Sequence, residues 1–262
     1  MLKKRLIPVL LLKNGVLVRS EEFSIHQVIG NPIHEVERFN EWNVDELIYV
    51  DISREDGYDL RRNDSKITSL EDPLQILERV SKTCFMPLTW GGRIRSVAEM
   101  RERFSRGADK VTLNTGAIEN PELITEGARM FGSQAIVLSV DVRRRGTDDY
   151  EVISNCGRTP TGMAVQEWVS RAEQLGAGEI FLQSLDEDGM AEGYDTRLIR
   201  LVASSIGIPL IACSGVGRFE DYAAGIQAGA SAVAAANLWH FKELADRAGK
   251  RAMEKKGILV RR

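Results

Sequence analysis

Short apolar runs alternate with amphipathic stretches along the whole chain, and the two kinds of segment repeat with different periods. Eight runs rich in β-branched and aliphatic residues, at 5–12, 46–52, 86–90, 110–114, 134–141, 179–184, 208–213 and 232–236, are bounded by turn residues and predict strands. The stretches between them predict helices beginning near His34, Pro73, Ser96, Pro121, Met163, Asp195, Arg218 and Trp239. Leu74, Ile76, Leu77 and Val80 show the three-and-four spacing of a helix with one buried face. Eight successive βα units in 262 residues predict an α/β fold: a single (β/α)8 barrel, one domain over residues 1–262.

The two halves of the chain also resemble each other. Pro87-Leu88-Thr89-Trp90-Gly91-Gly92 matches Pro209-Leu210-Ile211-Ala212-Cys213-Ser214, and Gly107-Ala108-Asp109-Lys110-Val111 matches Gly229-Ala230-Ser231-Ala232-Val233; both pairs lie 122 residues apart (87 to 209, 107 to 229). Asp45-Glu46-Leu47-Ile48 matches Gly178-Glu179-Ile180-Phe181 at 133 residues (46 to 179), so the first half carries about eleven more. The excess falls in the polar stretch 53–65, after the second strand, on the face where barrel enzymes place their working loops. It reads as a lid, a partner loop or a plain solvated loop.

Composition narrows the function classes. With 43% hydrophobic residues the chain can bury a large core unaided, and a formal net charge of −3 argues against a nucleic-acid binder that relies on phosphate neutralisation. Three widely spaced cysteines, Cys84, Cys156 and Cys213, give neither a disulfide framework nor a zinc spacing, which fits a reducing cytoplasm. The opening apolar run is too short for a signal peptide, and no run approaches the roughly twenty residues of a membrane span. His26, His34 and His240 share no ligand spacing, so no metal and no cofactor are expected. Trp168 and Trp239 sit at helical apolar positions as packing residues, and the basic stretch 250–262 reads as a solvated last helix.

Several motifs, in order along the chain, then point one way: Leu2-Lys3-Lys4-Arg5-Leu6-Ile7-Pro8, Val44-Asp45-Glu46-Leu47, Gly107-Ala108-Asp109-Lys110-Val111, Glu119-Asn120-Pro121, Phe131-Gly132-Ser133-Gln134-Ala135, Gly176-Ala177-Gly178-Glu179-Ile180, Asp186-Glu187-Asp188-Gly189 and Gly193-Tyr194-Asp195-Thr196. Together they resemble the cyclase subunit of imidazole glycerol phosphate synthase. The resemblance implies a duplicated half-barrel, a glutaminase subunit docked at the N-terminal face as a heterodimer, and ammonia passing through the barrel to a site at the C-terminal face.

It also implies roles for residues. Arg5, Glu46, Lys110 and Glu179 match a ring of two cations and two carboxylates where ammonia enters, which as a plain structural cluster would equally satisfy its own charges. Asp109 matches the glutaminase-facing aspartate and otherwise reads as an exposed surface carboxylate. Asp141, at the end of the fifth strand, matches one of two catalytic aspartates and otherwise reads as a loop brace; Asp188, at the end of the sixth, is a further candidate acid. Leu11 stands where the other aspartate is expected, and leucine carries no proton. For phosphate and substrate binding the matching positions are Arg19, Gly92, Arg93, Asn114, Thr115, Gly189, Ser214, Gly215 and Asn237. Arg19 replaces a lysine there, and Arg93 and Ser214 replace glycines. Arg93 either binds an anion through its own fork or fills the site. Cys156 aligns with a serine near the substrate and has no histidine beside it in sequence.

The absence of the first aspartate resembles a subgroup of second copies linked to acetamidino groups on bacterial surface-polysaccharide (O-antigen) sugars. By that resemblance the barrel takes ammonia from a glutaminase and passes it to a partner sugar amidotransferase acting on a phosphorylated or nucleotide-linked substrate. The alternatives are the standard cyclase of histidine biosynthesis, and a non-catalytic scaffold that activates the glutaminase.

Overall fold

Ile7, Val9 and Leu11 join one apolar core, while Leu6, Leu10 and Leu12 join another. A two-residue period divides a strand's side chains in this way when one face looks into a barrel and the other meets helices. The computed structural model describes residues 3–42, 44–53, 58 and 72–261. Within them this run forms β1 (Arg5–Lys13), followed by an antiparallel hairpin, β2 (Val16–Glu21) and β3 (Ile25–Gly30). Then come α1 (Pro32–Trp42), β4 (Leu47–Asp51), α2 (Pro73–Thr83), β5 (Leu88–Gly91), α3 (Val97–Ser105), β6 (Lys110–Leu113), α4 (Thr115–Glu119), α5 (Glu122–Phe131) and β7 (Ile136–Gly146). A second hairpin, β8 (Asp149–Ser154) and β9 (Thr159–Ala164), precedes α6 (Val165–Gln174), β10 (Glu179–Ser184), α7 (Thr196–Ala203), β11 (Leu210–Cys213), α8 (Asp221–Gln227), β12 (Ala232–Ala235), α9 (Asn237–Phe241) and α10 (Ala245–Glu254).

Strands β1, β4, β5, β6, β7, β10, β11 and β12 are parallel neighbours in that order, and the circle closes where Arg5 of β1 pairs with Ala232 of β12. The expected (β/α)8 barrel is therefore what the chain forms. Local chemistry starts its helices: Asp72 caps α2 ahead of Pro73, and Ser96 with Glu99 forms a reciprocal capping box on α3.

The two hairpins were not expected from the sequence. Each follows the first strand of a half, and their turns match: Glu22 and Phe23 have φ of 50° and 55°, Asn155 and Cys156 have 52° and 54°, again 133 residues apart (22 to 155). This is structural support for the duplicated half-barrel. Other boundaries move. Gln134 lies in a 3-10 turn, so the fifth barrel strand starts at Ile136; Met163 belongs to β9, so α6 starts at Val165; and the helix expected from Trp239 is two helices, α9 and α10. Of the stretch 53–65, all but Ser53 and Tyr58 lies outside the described residues.

The reading of 250–262 as a solvated helix is overturned at its first residue. Lys250 is buried in α10, where its Nζ lies 2.9 Å from Asp45 Oδ1 and 3.0 Å from Asp246 Oδ1. The other Asp45 oxygen accepts the Leu6 amide at 2.9 Å, so α10 is tied through Asp45 to the start of β1. Residues 259–261 run beside Lys4, with Lys4 N donating to Leu259 O at 2.7 Å. Trp168 and Trp239 are fully buried, as packing residues should be. His34 is exposed, whereas burial pushes His240 down to about 4.

Candidate functional site

Four charged side chains meet at the N-terminal end of the barrel. Arg5 Nη1 lies 2.7 Å from Glu46 Oε1 and its Nη2 bonds Glu179 Oε1, while Lys110 Nζ lies 3.2 Å from Glu46 Oε2 and 3.0 Å from Glu179 Oε2. Each carboxylate thus uses one oxygen for each cation, and the ring closes on itself with no net charge. Burial alone would weaken Arg5's hold on its proton, but the charges and hydrogen bonds of Glu179 and Glu46 outweigh it and raise the Arg5 pKa. Asp109 is exposed beside Lys110, and its Oδ2 also accepts the Leu88 amide at 2.8 Å, so it braces β5 as well as facing solvent.

Above the ring the strand alternation decides what lines the interior. Ile7, Val9 and Leu11 of β1, Ile48 and Val50 of β4, Ile211 and Cys213 of β11, and Ala232 and Ala234 of β12 make one side wholly apolar. Across from them Thr89, Thr112, Ser139 and Gln183 enter from β5, β6, β7 and β10. Thr112 Oγ1 is buried without a protein partner.

Asp141 stands at the C-terminal end of this polar side and is buried. Gln183 Nε2 donates to its Oδ1 at 2.9 Å, and the Asn114 amide donates as well. Burial pushes the Asp141 carboxyl up to about 7; the two amide bonds oppose the shift and the charge of Asp188 adds to it. Asp188 Oδ2 accepts from Ser20 Oγ at 2.8 Å and from the Phe23 amide at 3.1 Å, which fastens the first hairpin over the mouth. Its own pKa is raised, chiefly by burial. Leu11, Val50 and Ala236 each pack against the apolar side, so this end of the barrel has one acidic wall and one apolar wall.

The predicted phosphate positions fall in two loops with matching backbones. Gly92 (φ 95°) and Arg93 (φ 57°) follow β5; Ser214 (φ 79°) and Gly215 (φ 88°) follow β11. A Cβ on Gly92 would lie 2.1 Å from Asp51 O, and one on Gly215 2.1 Å from Gly193 O, so neither position admits another residue. The two loops thus share one turn backbone, and turns of this kind can present amides to an anion. At the far end of each loop a protein carboxylate fixes the amides: Glu99 Oε2 accepts from Arg95 N (2.6 Å) and Ser96 N (3.0 Å), and Asp221 Oδ2 accepts from Gly217 N (3.0 Å) and Arg218 N (2.8 Å). Arg93 is half-buried near Asp51, whose pKa is raised by burial and lowered in part by the Arg93 charge.

Other predicted residues tie the hairpins to the barrel. Thr115 Oγ1 accepts from the Asn155 amide at 3.0 Å, Asn237 Nδ2 donates to Ser20 O at 3.0 Å, and Gly189 packs against Glu21. Arg19 is taken up by its own hairpin, donating to Gln27 Oε1 at 2.6 Å and pairing with Glu21 at 3.0 Å. Gln183, Ser139 and Ser20 were missed: Gln183 and Ser139 are neutral polar residues inside stretches read as strand, and Ser20 lies in a hairpin strand that the sequence pattern did not show. Among the described residues no cluster has the makings of a metal site, and no helix is long and apolar enough to cross a membrane.

The chain is thus a (β/α)8 barrel with a neutral charge ring at one end and, at the other, a buried carboxylate between two loops of matching backbone, on the face where barrel enzymes place their sites. Residues 5–245 match the family model described as histidine biosynthesis protein, and the chain belongs to that family. Across its full length it is 40% identical to the imidazole glycerol phosphate synthase subunit HisF of Chloroherpeton thalassium (strain ATCC 35110 / GB-78), which it covers completely.

Proposed function

We propose that this chain is the ammonia-using cyclase subunit of an imidazole glycerol phosphate synthase. Ammonia and a bisphosphorylated formimino ribonucleotide would give imidazole glycerol phosphate and an aminoimidazole carboxamide ribotide. The observation that carries the reading is Asp141, a buried carboxyl titrating at about 7 at the barrel mouth, poised to accept a proton near neutrality. Asp188, the second carboxylate, raises the Asp141 pKa and holds the first hairpin in place. The loops at Gly92–Arg93 and Ser214–Gly215 receive the substrate's two phosphates. A glutaminase subunit docks around Asp109 and delivers ammonia through the ring of Arg5, Glu46, Lys110 and Glu179.

A second reading is favoured by Leu11. With Val50 and Ala236 it makes the wall opposite Asp141 apolar, and a neutral molecule such as ammonia would pass that wall unprotonated. The barrel would then hand ammonia to a separate sugar amidotransferase for an acetamidino group. Ammonia-dependent turnover of the formimino ribonucleotide by the purified chain separates the two. Turnover that Asp141→Asn abolishes supports the cyclase. A folded chain without turnover, which gains it on Leu11→Asp, supports the conduit.

A further inference from the structure

Replacing a carboxylate by Leu11 removes a proton-transfer group from β1, yet the next side chain on the same face of that strand is a cation. Lys13 lies two residues beyond Leu11, and the alternation that sends Ile7, Val9 and Leu11 inward sends Lys13 to the rim of the mouth. Its Nζ lies 3.1 Å from Nδ1 of His26. His26 reaches this point because β3 folds back over β2 and pairs His26 with Ser20, so both side chains stand on one face of the hairpin. Ser20 Oγ donates to Asp188, whose charge acts on Asp141. His26 therefore belongs to the same rim as the two carboxylates, on the side that Leu11 leaves without an acid.

With Lys13 as an ammonium, which has only donors, Nδ1 accepts and a neutral imidazole carries its proton on Nε2; this is the tautomer that donation from His26 requires.

We propose that His26, polarised by Lys13 at Nδ1, is the proton donor that completes the site opposite Asp141 and replaces the carboxylate missing at position 11. The proposal rests on the cyclase reading. As the substrate's leaving nitrogen departs, the Nε2–H bond breaks and an N–H bond forms on that nitrogen. A Lys13 N–H proton moves to Nδ1, leaving a neutral amine. Asp141 meanwhile gains one proton from the attacking nitrogen. Asp141 then releases its proton to solvent, solvent reprotonates His26 at Nε2, and the Nδ1 proton returns to Lys13, so the enzyme regains its starting charge and tautomer without any redox change. His26 is the catalytic residue in this scheme, and Lys13 positions and recharges it.

The test is ammonia-dependent turnover of the formimino ribonucleotide by the unaltered chain, His26→Asn, Lys13→Met, and the double variant His26→Asn with Leu11→Asp. The expected result is a loss of about a hundredfold in kcat for His26→Asn with little change in KM, and loss of the alkaline limb of the pH profile. Leu11→Asp should then restore about tenfold or more in the His26→Asn background, which a merely structural histidine would not allow. Lys13→Met should lower kcat while His26 remains. Turnover of His26→Asn within about threefold of the unaltered chain, or a loss that Leu11→Asp leaves unrepaired, overturns the proposal. No turnover by the unaltered chain overturns the cyclase reading, and the role of His26 with it.

Discussion

Replacing Asp141 by asparagine should remove activity and at the same time stabilise the protein at alkaline pH. Burial raises this carboxyl from 3.8 in the unfolded chain to about 7 in the fold. The sign follows from linkage: a group whose folded pKa is raised favours folding while it is protonated, and stability falls as pH rises from the unfolded pKa through the folded one. At about 1.36 kcal/mol per pKa unit, the charged form of Asp141 destabilises the fold by roughly 4 kcal/mol well above pH 7, and about 2.6 kcal/mol of that develops between pH 5 and pH 8. Asparagine fits the same space. Its oxygen can still accept from Gln183 Nε2, and its amide can donate to Asn114 Oδ1, which is buried without a partner, once the Asn114 amide turns over. Urea unfolding of both chains at pH 5 and pH 8 measures the effect. The Asn variant should gain roughly 2 to 3 kcal/mol more, relative to the unaltered chain, at pH 8 than at pH 5. Turnover should fall by about a hundredfold or more. A stability difference independent of pH would refute the argument that burial strains this carboxylate.

Other predictions test the frame around the site. Lys250→Met strands Asp45 and Asp246 without their shared cation, and should lose about 3–5 kcal/mol in urea unfolding at pH 8. The loss should shrink at pH 5, because burial already pushes Asp246 up to about 6 and its protonation removes one of the stranded charges. Gly92→Ala, where the new Cβ would meet Asp51 O at 2.1 Å, should destabilise by more than about 3 kcal/mol or fail to fold. Gly162→Ala is its control: φ is 75° there but nothing lies within 4 Å, so thermal melts should show only about 1 kcal/mol.

What the sequence made legible were features with strong local signals. The eight barrel strands are continuous apolar runs, whereas Arg5, Glu46, Lys110 and Glu179 came together only through the family resemblance, since each alone reads as an ordinary strand-end charge. The hairpins were hidden for a physical reason. Asn14-Gly15 is a tight-turn dipeptide, but Val16-Leu17-Val18 is only a short apolar run beyond it, and β3 leaves Ile25, Gln27 and Val28 exposed, so no buried face marks it as a strand. His26 was invisible as a site residue because only the β2–β3 register brings it to Lys13. Gln183 lay inside an apolar run, and nothing local says that an amide there meets a carboxylate from the next strand. Lys250 misled most: its neighbours form a polar helical stripe, and only the docking of α10 on β1 shows that it is inside.

The closure of the barrel has a consequence for how the molecule is made. Arg5 holds both carboxylates of the ring, yet β1 is completed on one side by β12, and Lys4 reaches Ala230 O at 3.1 Å across a sequence separation of 226 residues. Such distant pairing is slow to find and is formed only after most of the chain has been synthesised. On the ribosome, β1 therefore waits with its β12 edge unpaired and with Leu6, which lies against Gly249 of α10, uncovered until both elements have emerged. The early strands β1 and β4 are the segments most exposed to aggregation and to chaperone binding, and changes that slow closure should lower the yield of soluble protein before they alter the finished fold.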